Sequence, residues 1–228
     1  LAEGAGGVGE PDLARLESLS LEDILNVEVT AATKHPERAF GTAAAVSVIT
    51  EVDLRRSGAT SIPEALRLAP GMSVAQAFGG GWAVTARGMN GLYANRLLVL
   101  RDGRSAYLPI HSGVAWEAQD YVLEDLDRIE VVRGPGGALW GANAVNGVVN
   151  VVTRDAADTQ GWLVTGVAGT TARAGGAARY GFPVGANGHA RAYVKYQDWA
   201  EHPGGGSDDR DTFQGGFRSD FELEEIGR

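Results

Sequence analysis

The sequence predicts two kinds of structure in series: a small α+β module of mixed sheet and short helices over residues 46–153, then antiparallel strands suited to a transmembrane β-barrel from residue 161. Three observations carry this expectation. Strand-like apolar runs at 46–49, 97–100, 129–132 and 148–152 are interleaved with short, well-capped helical stretches. Glycine occupies 33 of 228 positions, about twice its usual share of roughly 7%, which favours turns and close chain packing over a helical bundle. Beyond Asp155 the chain changes to glycine-rich segments in which apolar and polar positions alternate.

The first twelve residues hold four glycines and no periodic apolar pattern, so residues 1–20 read as a leader. Leu13, Leu16, Leu19, Ile24 and Leu25 are spaced for one helix face, and Ser20 with Asp23 offers a cap. Asn26 to Ala31 alternates as a strand able to pair edge-to-edge with another chain, or as a local strand of the module. Val46 to Ile49 is a strand, and Thr50 with Asp53 caps a short helix closed by Gly58. Ser61-Ile62-Pro63-Glu64 reads as a capping box with proline in the first turn, ended by Pro70-Gly71. Met72 to Gln76 and Trp82 to Arg87 read as strands around glycines 79–81. Leu97 to Leu100 is a fully apolar strand, and Asp102-Gly103 has the chemistry of a tight reversal, so Asp102 is given no catalytic role. Tyr121 to Leu126 fits one or two helical turns before the strand ending at Arg133.

Four later segments, Trp162 to Thr171, Ala174 to Phe182, His189 to Trp199 and Thr212 to Glu222, are each about ten residues long. Phe213, Phe217 and Phe221 share one face, with Gln214, Arg218, Asp220 and Glu222 on the other. That division suits strands with lipid outside and a polar lumen, although a soluble amphipathic sheet has the same pattern. About four strands would leave an open edge with unpaired backbone groups in lipid, so the barrel expected here is incomplete.

Composition excludes several functions. A formal charge of −9 without clustered Lys and Arg argues against a nucleic-acid surface. No apolar run reaches helical membrane-spanning length. With no cysteine there is neither a disulfide framework nor a thiolate metal site. His35, His111, His189 and His202 lack metal spacing, no Gly-x-Ser-x-Gly turn occurs, and Glu124, Asp125 and Asp127 read as a solvated helix end. No cofactor, metal or enzymatic activity is expected.

The most informative run is 128–153, in which two β-branched strands flank a connection of glycine and asparagine. Gly134, Gly136, Gly137 and Gly141 fit neither the Walker spacing nor the dinucleotide fingerprint. By spacing alone the run is equally a glycine-rich link in some α/β domain. Its Arg133-Gly134-Pro135 corner, the Trp140-Gly141 turn with Asn143 and Ala144, and the Asn146-Gly147-Val148-Val149-Asn150 strand resemble, in order, the end of the plug domain of TonB-dependent outer-membrane receptors. Four upstream segments resemble further plug segments in the same order: Val48-Ile49-Thr50, Leu66 to Gly71, Arg87-Gly88-Met89-Asn90 and Val99 to Arg104 with Asp102-Gly103. The resemblance covers roughly residues 21–155.

Several expectations follow from that resemblance. Residues 21–155 would comprise the TonB box and plug, and 161–228 the first barrel strands, in an outer membrane with the plug facing periplasm and lumen. Val27, Glu28, Val29, Thr30 and Ala31 would be the box captured as an added strand by the C-terminal domain of TonB, in its complex with ExbB and ExbD. Arg87 and Arg133 would pair with barrel-wall glutamates and lock the plug in place, against the alternative of pairing inside the plug with Glu130 or Asp127. The implied function is active import of a scarce, bulky nutrient of ferric siderophore or cobalamin type. Phe78, Trp82, Tyr107 and Trp116, on aromatic and glycine-containing connections, are candidates to hold that substrate, with core packing as the competing role. A soluble α/β ligand-binding module is the rival reading; it leaves the later strands unused.

Overall fold

The computed structural model describes residues 28–38, 44–110, 112–170, 172–200 and 209–222. The leader, the helical pattern over Leu13 to Leu25, Val27 and His111 lie outside the described residues.

The module is built on a five-stranded mixed sheet in the order β3-β8-β9-β6-β7, formed by β3 (Ala45–Thr50), β8 (Leu126–Arg133), β9 (Gly147–Thr153), β6 (Leu97–Arg101) and β7 (Arg104–Ser105). β3, β8 and β9 pair antiparallel, and β6 runs parallel to β9. Because side chains alternate across a strand, the sheet has two apolar faces. Ile49, Leu97, Val99, Ile129, Val131, Val149 and Val151 face the principal core, while Leu98, Leu100, Val132 and Val148 face a second, smaller one.

The principal face is covered by α1 (Glu51–Ser57), α2 (Ile62–Ala65) and the hairpin of β4 (Met72–Phe78) and β5 (Gly81–Ala86). Thr50 and Asp53 form the expected reciprocal cap, and Gly58 ends α1 at φ 67°. The Ser61 box does not form. Glu64 reaches one residue further back and takes the Thr60 N–H and hydroxyl at 2.7 and 2.8 Å, which leaves the Ser61 hydroxyl buried without a partner. Tyr121 to Leu126 supplies only a single 3₁₀ turn, Leu123–Asp125. The connection between β8 and β9 contains a one-turn helix, α3 (Gly137–Trp140). Gly147 is required there, since a Cβ would stand 2.5 Å from the Val132 carbonyl.

The wall is a four-stranded antiparallel sheet, β10 (Gly161–Ala168), β11 (Ala172–Val184), β12 (Gly188–Trp199) and β13 (Arg210–Phe221), in sequence order. Its first and last strands are not paired with each other, so the sheet is open. The predicted alternation is realised. Trp162, Val164, Tyr180, Val194, Tyr196, Phe213, Phe217 and Phe221 project to the outside, while Arg179, Arg191, Lys195 and Gln197 are buried against the module. A short segment before the module, β1 (Glu28–Val29), pairs with β2 (Glu37–Arg38) and lies over the second face of the mixed sheet.

Candidate functional site

Residues 28–34 form a strap on the module. Val29 and Ala31 are fully buried, Ala31 against Leu98, Leu100, Val132 and Val148. The backbone of the strap is held by Glu130, a carboxylate with no solvent exposure in the middle of β8. The Thr30 and Ala31 N–H groups donate to Glu130 Oε2 at 3.0 and 2.7 Å, and the Thr30 hydroxyl donates to the same oxygen at 3.2 Å. Asn150 Nδ2 on β9 donates to the Thr30 hydroxyl at 3.3 Å and to Glu130 Oε2 at 3.4 Å. Trp140 Nε1 donates to the Ala31 carbonyl at 2.7 Å, and the Lys34 ammonium lies 4.8 Å from the Trp140 ring centre. Arg128 balances the Glu130 charge at 2.9 Å. In the sequence Glu130 stands out only as a partner for arginine, and Trp140 only as part of the Trp140-Gly141 turn. The available signal was one charged and one amide residue, Glu130 and Asn150, inside otherwise apolar strands, where an unpartnered polar group is costly.

Arg87 and Arg133 come together. Arg87 sits at φ 59°, a strained position for a non-glycine residue, and its Nη2 donates to the Arg133 carbonyl at 3.5 Å. Arg133 donates to Ser47 Oγ at 3.2 Å, and its Nε is buried without a hydrogen-bond partner. Among the described residues neither guanidinium pairs with a carboxylate: Asp127 is taken by Arg128, and Glu130 by Arg128 and the strap.

The remaining motif residues build corners. Asp102 accepts from the Thr153 N–H at 2.9 Å and its hydroxyl at 3.1 Å, tying the β6–β7 turn to the end of β9. Gly88, Gly103, Gly134 and Gly141 adopt positive φ, as does Asn143 at 73°. Pro135 is exposed at the corner, and the N–H groups of Gly134 and Gly136 fold back onto the Asn146 and Ala144 carbonyls.

The aromatic candidates divide. Trp82 and Trp116 are buried in the principal core, 3% and 5% exposed, so their surfaces are spent on packing. Trp82 meets Trp199 of the wall edge-to-face with ring centres 6.5 Å apart, and Arg67 lies over its ring. Phe78, at the tip of the β4–β5 hairpin, and Tyr107 are half-buried.

The module and the wall meet through charge. Lys195 Nζ lies 2.6 Å from Asp120 Oδ1 and donates to the carbonyls of Tyr121 (3.0 Å) and Thr60 (3.4 Å). Asp125 stands between Arg179 and Arg191 at 3.3 and 3.5 Å, and both its oxygens lack a hydrogen bond. The expected solvated helix end is therefore wrong for Asp125, which is 4% exposed because the wall closes over it. Burial pushes the Asp125 carboxyl above the usual carboxylate range, with Arg191 and Arg179 pulling it back. The same holds for Asp120, where burial outweighs Lys195. Near the end of β13, Arg218 pairs with Asp155 and donates to the Thr153 carbonyl at 3.1 Å, while Asp220 accepts the Ala156 N–H at 2.7 Å. Register orders these contacts along the wall: Thr153 to Thr159 at the level of Arg191 and Arg218, Asp120 at Lys195, and the β4–β5 hairpin at Trp199.

No group of three or more His, Cys, Asp or Glu suited to a metal occurs among the described residues, and no helix there is long and apolar enough to cross a membrane.

Comparison with known proteins agrees with this architecture. Residues 38–148 match the model of the TonB-dependent Receptor Plug Domain. Over 133 residues, 57% of the chain, the sequence is 32% identical to the vitamin B12 transporter BtuB of Vibrio vulnificus (strain CMCP6), and it is 31% identical over 137 residues to that of Vibrio cholerae. The matched region spans 21% and 22% of those proteins, about a fifth of their length. Among solved structures, Pseudomonas aeruginosa FpvA bound to a heterologous ferric pyoverdine superposes with a TM-score of 0.66 at 21% identity, over 87% of this chain and 26% of that one. The ferric yersiniabactin uptake receptor FyuA of Yersinia pestis gives 0.58 at 20% identity, over 77% of this chain and 28% of that one. At such identities the superpositions speak for the fold alone. Residues 38–148 are thus a plug domain of the TonB-dependent receptor kind, and the antiparallel strands that follow are arranged as in the solved receptors.

Proposed function

We propose that this chain forms the plug, over residues 21–155 with its coupling segment, and the first barrel strands, over 161–228, of an outer-membrane receptor that imports a scarce nutrient with energy delivered through TonB. The observation that carries the reading is the two-faced wall: an aromatic outer surface of Trp162, Tyr180, Phe213, Phe217 and Phe221, and an inner surface whose cations meet Asp120, Asp125 and Asp155 of the plug. The outer surface suits outer-membrane lipid. A soluble ligand-binding module has no use for such a surface. The substrate class is a ferric siderophore or cobalamin, the kinds of cargo named for the vitamin B12 transporters and the pyoverdine and yersiniabactin receptors it resembles. Phe78 and Tyr107, half-buried and so partly open to solvent, are its candidate contacts. The plug binds and gates, and no residue is assigned catalysis.

Arg87 and Arg133 are read as the plug's lock to barrel-wall carboxylates, supported by their adjacency and by the buried, unpartnered Nε of Arg133. Coupling is assigned to Val27 through Ala31, taken by the TonB C-terminal domain as an added strand. Such a strand needs either the Thr30 or the Ala31 N–H, depending on the edge it joins, and Glu130 occupies both, so coupling requires the strap to leave the plug. Deleting Leu25 to Ala31 should abolish capture of the receptor by the TonB C-terminal domain in a pull-down; undiminished capture would remove the assignment. For substrate, growth of a strain carrying the complete receptor on a panel of ferric chelates and cobalamin is the test, and failure with all of them would defeat the substrate class.

A further inference from the structure

We infer that Glu130 is the positioning residue of a latch that controls whether the coupling strap is available, an inference resting on the assignment of Val27 to Ala31 as the coupling segment. Three features of the site point to a device that opens rather than a permanent part of the fold.

The first is economy of attachment. A single carboxylate oxygen, Glu130 Oε2, takes two consecutive backbone N–H groups and the Thr30 hydroxyl, and one indole N–H takes the Ala31 carbonyl. Charge-assisted bonds of this kind are roughly twice as strong as neutral ones, so one side chain holds most of the strap's polar attachment. Neighbouring N–H groups of a strand point to opposite sides, so an added strand needs one or the other of this pair; Glu130 holds both, so its occupancy and that of a partner strand exclude each other.

The second is that the latch can let go without stranding a charge. Glu130 keeps Arg128 at 2.9 Å and the Asn150 amide at 3.4 Å when the strap departs, because both partners belong to the sheet and not to the strap. A buried carboxylate whose only partners were strap amides would oppose opening far more strongly.

The third is what the strap covers. Ala31 packs on Leu98, Leu100, Val132 and Val148, with Trp140 at the margin, so opening exposes an apolar sheet face but breaks no strand pairing of the five-stranded sheet. The sheet therefore survives strap release, and the exposed face drives reclosure once the strap is free.

The test is made on the full-length receptor in lipid, comparing wild type, Glu130→Gln and Trp140→Phe by hydrogen exchange, with affinity for the TonB C-terminal domain measured on the same samples. The latch requires exchange over residues 28–34 to rise at least tenfold in Glu130→Gln, and more modestly in Trp140→Phe, which keeps the ring but loses the N–H. Protection in β8 and β9 must stay at the wild-type level. Unchanged exchange over 28–34 with an intact sheet overturns the latch, and so does a parallel rise in strap and sheet, which would mark Glu130 as a general stabiliser. TonB affinity separates the underlying reading: faster strap exchange with tighter TonB binding supports both, whereas faster exchange with unchanged binding keeps the latch and overturns the coupling assignment.

Discussion

Replacing Lys195 with methionine tests whether charge holds the plug to the wall. The ammonium lies 2.6 Å from Asp120 Oδ1 and also satisfies the Tyr121 and Thr60 carbonyls, with both side chains about one-tenth exposed. Methionine keeps most of the volume but leaves a buried carboxylate without its cation, a change that typically costs about 3–5 kcal/mol. The pH dependence follows from the direction of the Asp120 shift. Burial already raises that carboxyl above its ordinary range against the pull of Lys195, so loss of Lys195 raises it further. A folded-state value above the unfolded one means that the folded protein takes up the proton first as pH falls. The penalty is thus largest at neutral pH and shrinks on acidification, by at most ~1.4 kcal/mol per pH unit between the two values. The assay is denaturant-dependent hydrogen exchange of the segments around Thr60 and Asp120 in the lipid-embedded receptor, at neutral and mildly acidic pH. Asp120→Asn combined with Lys195→Met should recover most of the loss, because it removes the stranded charge. A loss under about 1 kcal/mol, the range of an exposed pair, or a double variant no better than the single, would refute the argument.

Other perturbations have equally definite outcomes. Thr50→Ala removes the reciprocal cap of α1 and should lower stability by about 1 kcal/mol in chemical unfolding, with the loss localised to residues 50–58 by exchange. Trp199→Ala empties the site beside Trp82 and Gly80, and should cost about 3–5 kcal/mol, read as lost protection in Met72–Ala86 while β8 and β9 hold. Phe217→Lys is the direct probe of lipid contact: Phe217 is 83% exposed, so in water the change would be nearly neutral, whereas at the bilayer midplane it should cost about 2–4 kcal/mol in folding into vesicles.

Much of the fold was legible because it depends on short-range chemistry. The Thr50–Asp53 cap, the Gly58 stop, the Asp102-Gly103 turn and the two-residue alternation of the wall strands are set by residues within a few positions of one another. The Ser61 cap was misread because Thr60 and Ser61 compete for the same carboxylate, and only the chain path into α2 selects Thr60. The plug motifs were readable as a pattern, but their roles were not uniformly so. Trp82 and Trp116 carry the same aromatic signal as Phe78 and Tyr107, and only packing against Trp199 and the core distinguishes buried from accessible.

By itself, then, the chain determined its local elements, the two textures on either side of Asp155 and the glycine and asparagine corners between β8 and β9, because these follow from backbone freedom and side-chain period. Tertiary structure alone decided which polar groups lose water. Asp125 is drawn between two arginines more than fifty residues away, Glu130 grips amides a hundred residues upstream, and Arg87 and Arg133 meet with no carboxylate paired to either among the described residues. Desolvation depends on what the rest of the chain brings across a face, and no local run of residues contains that information.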